Sequence, residues 1–223
     1  MRLLKRIAGI AVAGLAFGSP VAALSGERGA EPGKFDFYVL SLSWSPSYCA
    51  AEGAEANRQQ CGSARPYAFV VHGLWPQYET GYPEFCRLKQ SGHIPGNLVN
   101  SYQDIMPSGG LMGHQWRKHG SCTGLRQGAY FALARKARAK INIPPEFLRL
   151  TDPLLISPKD VEERFISANP GLEKQDFAVT CDRRYLREVR ICMTKDLAFR
   201  ACDELDAKGC RADRMLMPPA RGR

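Results

Sequence analysis

Six consecutive positions, His114 to His119, hold two histidines, a lysine, an amide, an arginine and a tryptophan within the stretch "GHQWRKHGSC". In a helix each residue advances by about 100°, so with His114 at zero, Lys118 stands at about 40°, Gln115 at about 100° and His119 at about 140°. These four polar groups share one side. Trp116, at about 200°, and Arg117, at about 300°, point elsewhere, and Trp116 is expected as a core anchor beneath the polar face. Two imidazoles beside an ammonium can hold a dianionic phosphate and carry protons near neutral pH. A zinc-binding helix instead spaces its histidines at i and i+4 around a glutamate base. Here the spacing is five, no glutamate lies between, and Lys118 would repel a cation, so the pattern argues for acid–base chemistry without a metal.

A second histidine with a strong setting is His72, in "YAFVVHGLWPQY". It ends an apolar strand where Gly73 permits a sharp turn, a usual place for a strand-held side chain to meet a cleft. A satisfied histidine at a sheet edge fits this motif equally well. His93, in "SGHIPGN", reads as a loop residue.

The elements that must position these groups follow from periodicity. "KFDFYVLSLSW" alternates and ends before Pro46, and "RPYAFVVHGLW" is closed by Pro76; both read as strands. Residues 77–110, rich in Gly, Pro and Asn, are expected as loops walling a cleft, with a short helix near Pro95 to Gln103. Helical patterns cover Leu111 to about Gly120, Gln127 to Lys140, and Ser157 to Ala168, where Ser157 caps and Pro158 opens the first turn. Two late strands, around Asp176 to Cys181 and Tyr185 to Met193, turn through "DRR". Strands flanking a helical middle, with no βαβ period and no internal repeat, predict an α+β fold with a central antiparallel sheet packed by helices.

At 223 residues the chain is long enough for one domain. Residues 1–23 have a cationic start, an apolar run from Ile7 to Gly18 and small residues suited to cleavage after Ala23, which predicts a secretory signal. That run is short of the roughly 20 residues a spanning helix needs, and no later segment qualifies. Residues 24–34 are expected as a flexible N-terminal segment, 35–214 as the domain, and 215–223 as a loose tail. All eight cysteines fall after the signal, as for disulfides in an oxidising compartment, and no Cys-x-x-Cys offers zinc a site. Spacing alone leaves 105 connectivities. The formal charge of +9 drops by three when Arg2, Lys5 and Arg6 leave with the signal. A moderately basic chain suits polyanionic partners without demanding one.

"HGLWP" and "HQWRKHGSC", about forty residues apart in a cysteine-rich chain, together resemble the two active-site segments of the ribonuclease T2 family. "FDFYVLSLSWSPSYC" and the four C-terminal cysteines extend the resemblance, with residues 123–175 the least diagnostic. It implies a single α+β, disulfide-bonded endoribonuclease that needs no metal or other cofactor and takes single-stranded RNA with broad base tolerance. By position, His119 would take the ribose 2′-OH proton and His72 would protonate the leaving 5′-oxygen. A 2′,3′-cyclic phosphate would form, to be opened more slowly by water. His114 and Lys118 would hold the phosphate and stabilise its growing charge. Trp75 would pack against ribose or base or support its loop, and Tyr78 and Tyr82 would stack bases or pack locally. The implied disulfides are Cys49 with Cys61, Cys86 with Cys122, Cys181 with Cys210, and Cys192 with Cys202. Where the family commonly carries glutamate this chain has Gln115, which can orient Lys118 or bind a phosphate oxygen but cannot carry charge. The rival reading is a binding or signalling protein on a ribonuclease scaffold. The small-residue signal and the absence of Asn-x-Ser/Thr after it point to a periplasmic or extracellular bacterial protein, expected as a monomer with no membrane attachment after signal removal.

Overall fold

The computed structural model describes residues 26–62, 64–88 and 90–220. The expected signal, residues 1–23, lies outside them. The strands are β1 (Gly26–Arg28), β2 (Phe37–Trp44), β3 (Phe69–Gln77), β4 (Tyr82–Glu84), β5 (Leu154–Ile156), β6 (Phe177–Cys181), β7 (Leu186–Met193) and β8 (Met215–Met217). The helices are α1 (Ser45–Glu52), α2 (Arg58–Cys61), α3 (Gly96–Tyr102), α4 (Gly109–Lys118), α5 (Gln127–Ala139), α6 (Pro145–Leu148), α7 (Pro158–Ala168) and α8 (Asp203–Asp206).

Four antiparallel strands in the order β3-β2-β7-β6 make the central sheet. Alternation along β2 divides its side chains between two faces. Tyr38, Leu40, Leu42 and Trp44 join Val71, Leu74, Val189 and Ile191 in the main core, which also takes in Tyr130, Phe131, Ala134 and Ala137 of α5 and Val161 and Phe165 of α7. The other face carries Phe37 and Val39, with Cys192 and Cys202, in a smaller cluster that Trp75 borders. An antiparallel sheet can leave one face open in this way, and that face builds the site. The α7 cap is as expected, with Ser157 Oγ accepting from the Asp160 N–H at 3.1 Å and Pro158 in the first turn. Among the described residues, no helix is long and apolar enough to cross a membrane.

Residues 26–34 and 215–220 are held more firmly than composition suggests. β1 pairs in parallel with β4, the Gly33 N–H donates to Cys122 O at 2.9 Å, and Ala30 is buried against Cys86 and Cys122. Residues 26–34 are therefore built into the fold. The tail departs from expectation too: β8 pairs with β5, burying Met215 and Met217, and the Trp44 indole N–H donates to Pro218 O at 3.1 Å. The Met-Leu-Met alternation supplies the apolar contact that the following Pro-Pro-Ala obscures. Four disulfides join Cys49 to Cys61, Cys86 to Cys122, Cys181 to Cys210 and Cys192 to Cys202.

Candidate active site

β2 and β3 change register between Ser41 and Leu42: Ser41 faces Gly73 while Leu42 faces Val71. His72 is the extra residue of a β-bulge, a device that re-aims a side chain. The bulge lets Val71 and Leu74 both face the core while His72 and Trp75 face the cleft. β3 runs on through Pro76, so Gly73 sits within the strand and makes no turn. It is required for a different reason. A Cβ there would stand 2.2 Å from Trp75 Nε1 and 2.3 Å from Gln115 Oε1, a distance that only hydrogen can occupy. Gly73 thereby admits the Trp75–Gln115 hydrogen bond, 2.7 Å long, across the strand. Because an indole N–H can only donate, the Gln115 oxygen must face it, leaving Nε2 for another acceptor. Gln115 is buried and turned to Trp75 rather than to Lys118.

The helix that carries the two-histidine motif is α4, capped by Ser108, whose Oγ accepts from the Leu111 N–H at 3.2 Å. It ends one residue before His119, which leaves helical geometry at φ −117° and enters a 3₁₀ turn over Gly120–Thr123. A side chain at Gly120 would collide with Trp116 at 2.5 Å, so close packing on the buried Trp116 and Tyr130 sets this exit. Trp116 is the expected anchor, its indole N–H donating to Ser91 O at 3.1 Å. His93 lies in the neighbouring loop, its carbonyl bonded to Gln127, and takes no part in the pocket.

The exit turns His119 inward. It is 6 % exposed, its ring stacks on Trp75 with centroids 5.2 Å apart, and Tyr82 lies 6.2 Å away. Its Nδ1 is buried without a hydrogen-bond partner among the described residues. Burial first, then the charges of Lys118, His72 and His114, hold its pKa well below the ordinary histidine value. A neutral imidazole of this kind can accept a proton. Burial and the charges of Lys118, Arg117 and His72 also lower His114, which is more exposed and stands edge-on to Phe85 at 6.5 Å. Lys118 pairs with Glu84 of β4 at 3.4 Å, and its ammonium lies 5.7 Å from the Tyr82 ring centre. Arg28 of β1 reaches the same carboxylate at 3.9 Å.

His72 meets Trp75 edge-on at 5.4 Å. Its Nδ1 hydrogen-bonds Glu188 Oε1 of β7, and Glu188 Oε2 accepts from Arg190 Nε at 2.7 Å. The buried Glu188 carboxyl is pushed up by desolvation, yet the hydrogen bond and charge of His72, with Arg190, pull it down to about 2. Alternation in "LREVRICM" puts Glu188 and Arg190 on the polar face, so in sequence they read as solvent-exposed; no signal marks them as partners of His72.

One pocket of about 300 Å³ gathers His72, Trp75, Tyr82, Gln115, Lys118 and His119, with His114 at its border. Tyr78 lines an adjoining hollow of about 340 Å³ instead. A larger one, about 680 Å³, opens on the other side of His72 and His114. Among the described residues, no three His, Cys, Asp or Glu side chains come together as a metal site. A pocket that gathers imidazoles and a lysine suits proton transfer around a bound anion.

A sequence model of the Ribonuclease T2 family matches residues 35–202. The chain belongs to that family. Curated relatives include a ribonuclease of Aeromonas hydrophila, 34% identical over 181 residues that span 74% of this chain and 75% of the relative. Ribonuclease DdI of Dictyostelium discoideum is 28% identical over 207 residues, 81% of this chain and 83% of that one. The fold of this T2 ribonuclease is similar to that of trichomaglin, described as an S-like ribonuclease, with TM-score 0.67 and 22% identity, covering 84% of this chain and 99% of the other. It is also similar to an RNase-related protein from Calystegia sepium, with TM-score 0.66 and 21% identity, covering 84% and 98%.

Proposed function

We propose that this ribonuclease cleaves single-stranded RNA internally by metal-independent transphosphorylation, leaving 2′,3′-cyclic phosphate ends that it hydrolyses more slowly. The observation that carries this reading is the pair of histidines with opposite surroundings in one pocket. His119 is buried, disfavoured in its charged form and stacked on Trp75, suited to removing a proton, whereas His72 has a carboxylate on Nδ1, suited to giving one. In the first step His119 takes the 2′-OH proton, the 2′-oxygen attacks phosphorus, and His72 protonates the departing 5′-oxygen. Water then enters by the reverse roles, with His72 as base and His119 as acid.

Lys118 offers positive charge and His114 a ring N–H donor to the phosphate oxygens, and Gln115 Nε2 adds a neutral donor. Lys118 must share itself between Glu84 and the substrate. Trp75 holds His119 by stacking and Gln115 by its hydrogen bond, which supports a positioning role beside any contact with the sugar. Tyr82 borders the pocket as a sequence-tolerant stacking surface, while Tyr78, in the adjoining hollow, would meet only a neighbouring nucleotide. Hollows on both sides of His72 give room for chain on either side of the scissile phosphate, as internal cleavage requires. Four disulfides suit an oxidising compartment, which supports export.

The test is incubation of a short single-stranded RNA in excess EDTA with wild type and His119→Ala, the new 3′ ends identified by mass spectrometry. Wild type is expected to yield cyclic phosphate ends and the variant at least about 10²-fold fewer. The acid limb of the wild-type rate profile is expected below the ordinary histidine range, because His119 stays unprotonated there. No cleavage by folded wild type would favour an RNA-binding scaffold; cleavage abolished by EDTA would favour a metal enzyme.

A further inference from the structure

Glu188 is a buried carboxylate on the floor of the cleft, and among the described residues its charged contacts are its neighbour Arg190 and a histidine. It is 7 % exposed, an expensive location for an acid unless both oxygens are engaged. They are: Oε1 accepts from His72 Nδ1, and Oε2 accepts from Nε and the terminal guanidinium nitrogen of Arg190, both at 2.7 Å. The fold builds this contact deliberately. β7 sets Glu188 opposite Ser43 and Arg190 opposite Ser41 of the intervening β2, while the bulge in β3 aims His72 at the same sheet face. Two unrelated strands and an inserted residue thus converge on one hydrogen bond.

We propose that Glu188, anchored by Arg190, is a positioning residue that fixes His72 with its proton on Nδ1 and Nε2 free to serve the leaving 5′-oxygen. The inference rests on the reading of His72 as the proton donor. An ionised carboxylate can only accept, so Nδ1 must carry hydrogen in both charge states of the ring. When charged, His72 has a second proton on Nε2. As the P–O5′ bond breaks, that proton moves to the 5′-oxygen, and the ring remains as the neutral Nδ1–H tautomer still bonded to Glu188. Without the carboxylate, either nitrogen could hold the remaining proton and the ring could turn. Arg190 keeps the carboxylate ionised and in place, and its guanidinium carbon lies 5.2 Å from the Trp75 ring centre, tying the same group to the pocket wall.

The surroundings make a local anion necessary. From α4 and its end, His114, Lys118 and His119 all face His72 with positive or protonatable groups, and β7 adds Arg190. Glu84, the acid that pairs with Lys118, also meets Arg28, and Glu52, in the larger hollow, pairs with Arg187. With glutamine at 115, Glu188 is the carboxylate in contact with the His72 ring among the described residues.

The test uses leaving groups. A dinucleoside monophosphate needs its 5′-oxygen protonated; a nucleoside 3′-(4-nitrophenyl phosphate) expels a stable phenolate and does not. Glu188→Gln is expected to lower kcat on the dinucleotide about 10- to 100-fold and to leave the aryl ester within about threefold. Equal losses on both substrates, or no loss on either, would overturn the proposal. His72→Ala separates the two readings. If it shows the leaving-group dependence and Glu188→Gln does not, Glu188 falls while His72 stands as the acid; if neither shows it, both fall. ¹⁵N NMR of folded wild type, with His72 assigned through His72→Ala, reads the tautomer without any substitution at 188. Neutral His72 protonated on Nδ1 is expected, and an Nε2–H tautomer would sink the idea even where Glu188→Gln fails to fold.

Discussion

Replacing Gln115 by glutamate puts a carboxylate under Trp75, next to the ring that stacks on His119. A nearby negative charge favours the protonated imidazole, so the base of Gln115→Glu will need a higher pH to stay free. The acid limb of its rate profile is expected to lie above that of the wild type; identical limbs would show that residue 115 exerts no charge effect on His119. Gly73→Ala tests the same contact by sterics. The new methyl would occupy the space of the Trp75–Gln115 hydrogen bond, so that both side chains must move. A loss of about 10- to 100-fold in kcat/KM is expected, in line with misplacement of catalytic groups by about 1 Å, with far-ultraviolet circular dichroism unchanged. Both His72 and His119 are legible in sequence as unusual histidines. Glu188 is not, because its alternation reads as a solvent face until the cleft covers it.

At the scale of elements, the site depends on how α4 ends. Cys122 lies three residues beyond His119, and its bond to Cys86 ties the exit turn to the end of β4, which carries Glu84 and Tyr82. The Phe85 N–H donates to Lys118 O at 2.8 Å across the same junction. The double variant Cys86→Ala/Cys122→Ala is expected to lose about 2–4 kcal/mol of stability, read from urea unfolding. Its kcat is expected to fall as well, measured where the variant is still folded, because His119 and the partner of Lys118 are no longer fixed to each other. Stability loss with unchanged kcat would make this disulfide a staple of the fold alone. A helical pattern over Leu111 to about Gly120 is legible in the sequence; the structure begins the helix at Gly109, with Ser108 as cap and Met112 and Trp116 buried. Its last turn is not legible, because the break at His119 answers to packing of Gly120 on Trp116 and Tyr130, which are 14 residues apart.

For the molecule as a whole, the core and the cleft lie on opposite faces of one four-stranded sheet, so the proposed catalytic groups are separated from those that hold the fold. The C-terminal strand belongs to the second set. Ending the chain after Arg214 removes Met215 and Met217 from the core and the Pro218 acceptor from Trp44. Burial of each methionine stabilises by about 1.5–3 kcal/mol, so the loss is comparable with the whole stability of a small domain. The truncated protein is expected to unfold well below the wild-type Tm or to be recovered only as aggregate; an unchanged Tm would show β8 to be dispensable.

Strand and helix periodicities, the cysteine content and the two histidine motifs are local properties, and local properties are written in the order of residues. They determined the antiparallel α+β architecture and the candidates His72, His114, Lys118 and His119. Tertiary structure decided what each candidate touches. A one-residue bulge aimed His72 at a carboxylate 116 positions away, Gly73 let Trp75 meet Gln115, and the tail became a strand because Leu154–Ile156 offered it an edge. Such contacts depend on register, close approach and burial between distant segments, quantities that no window of sequence contains.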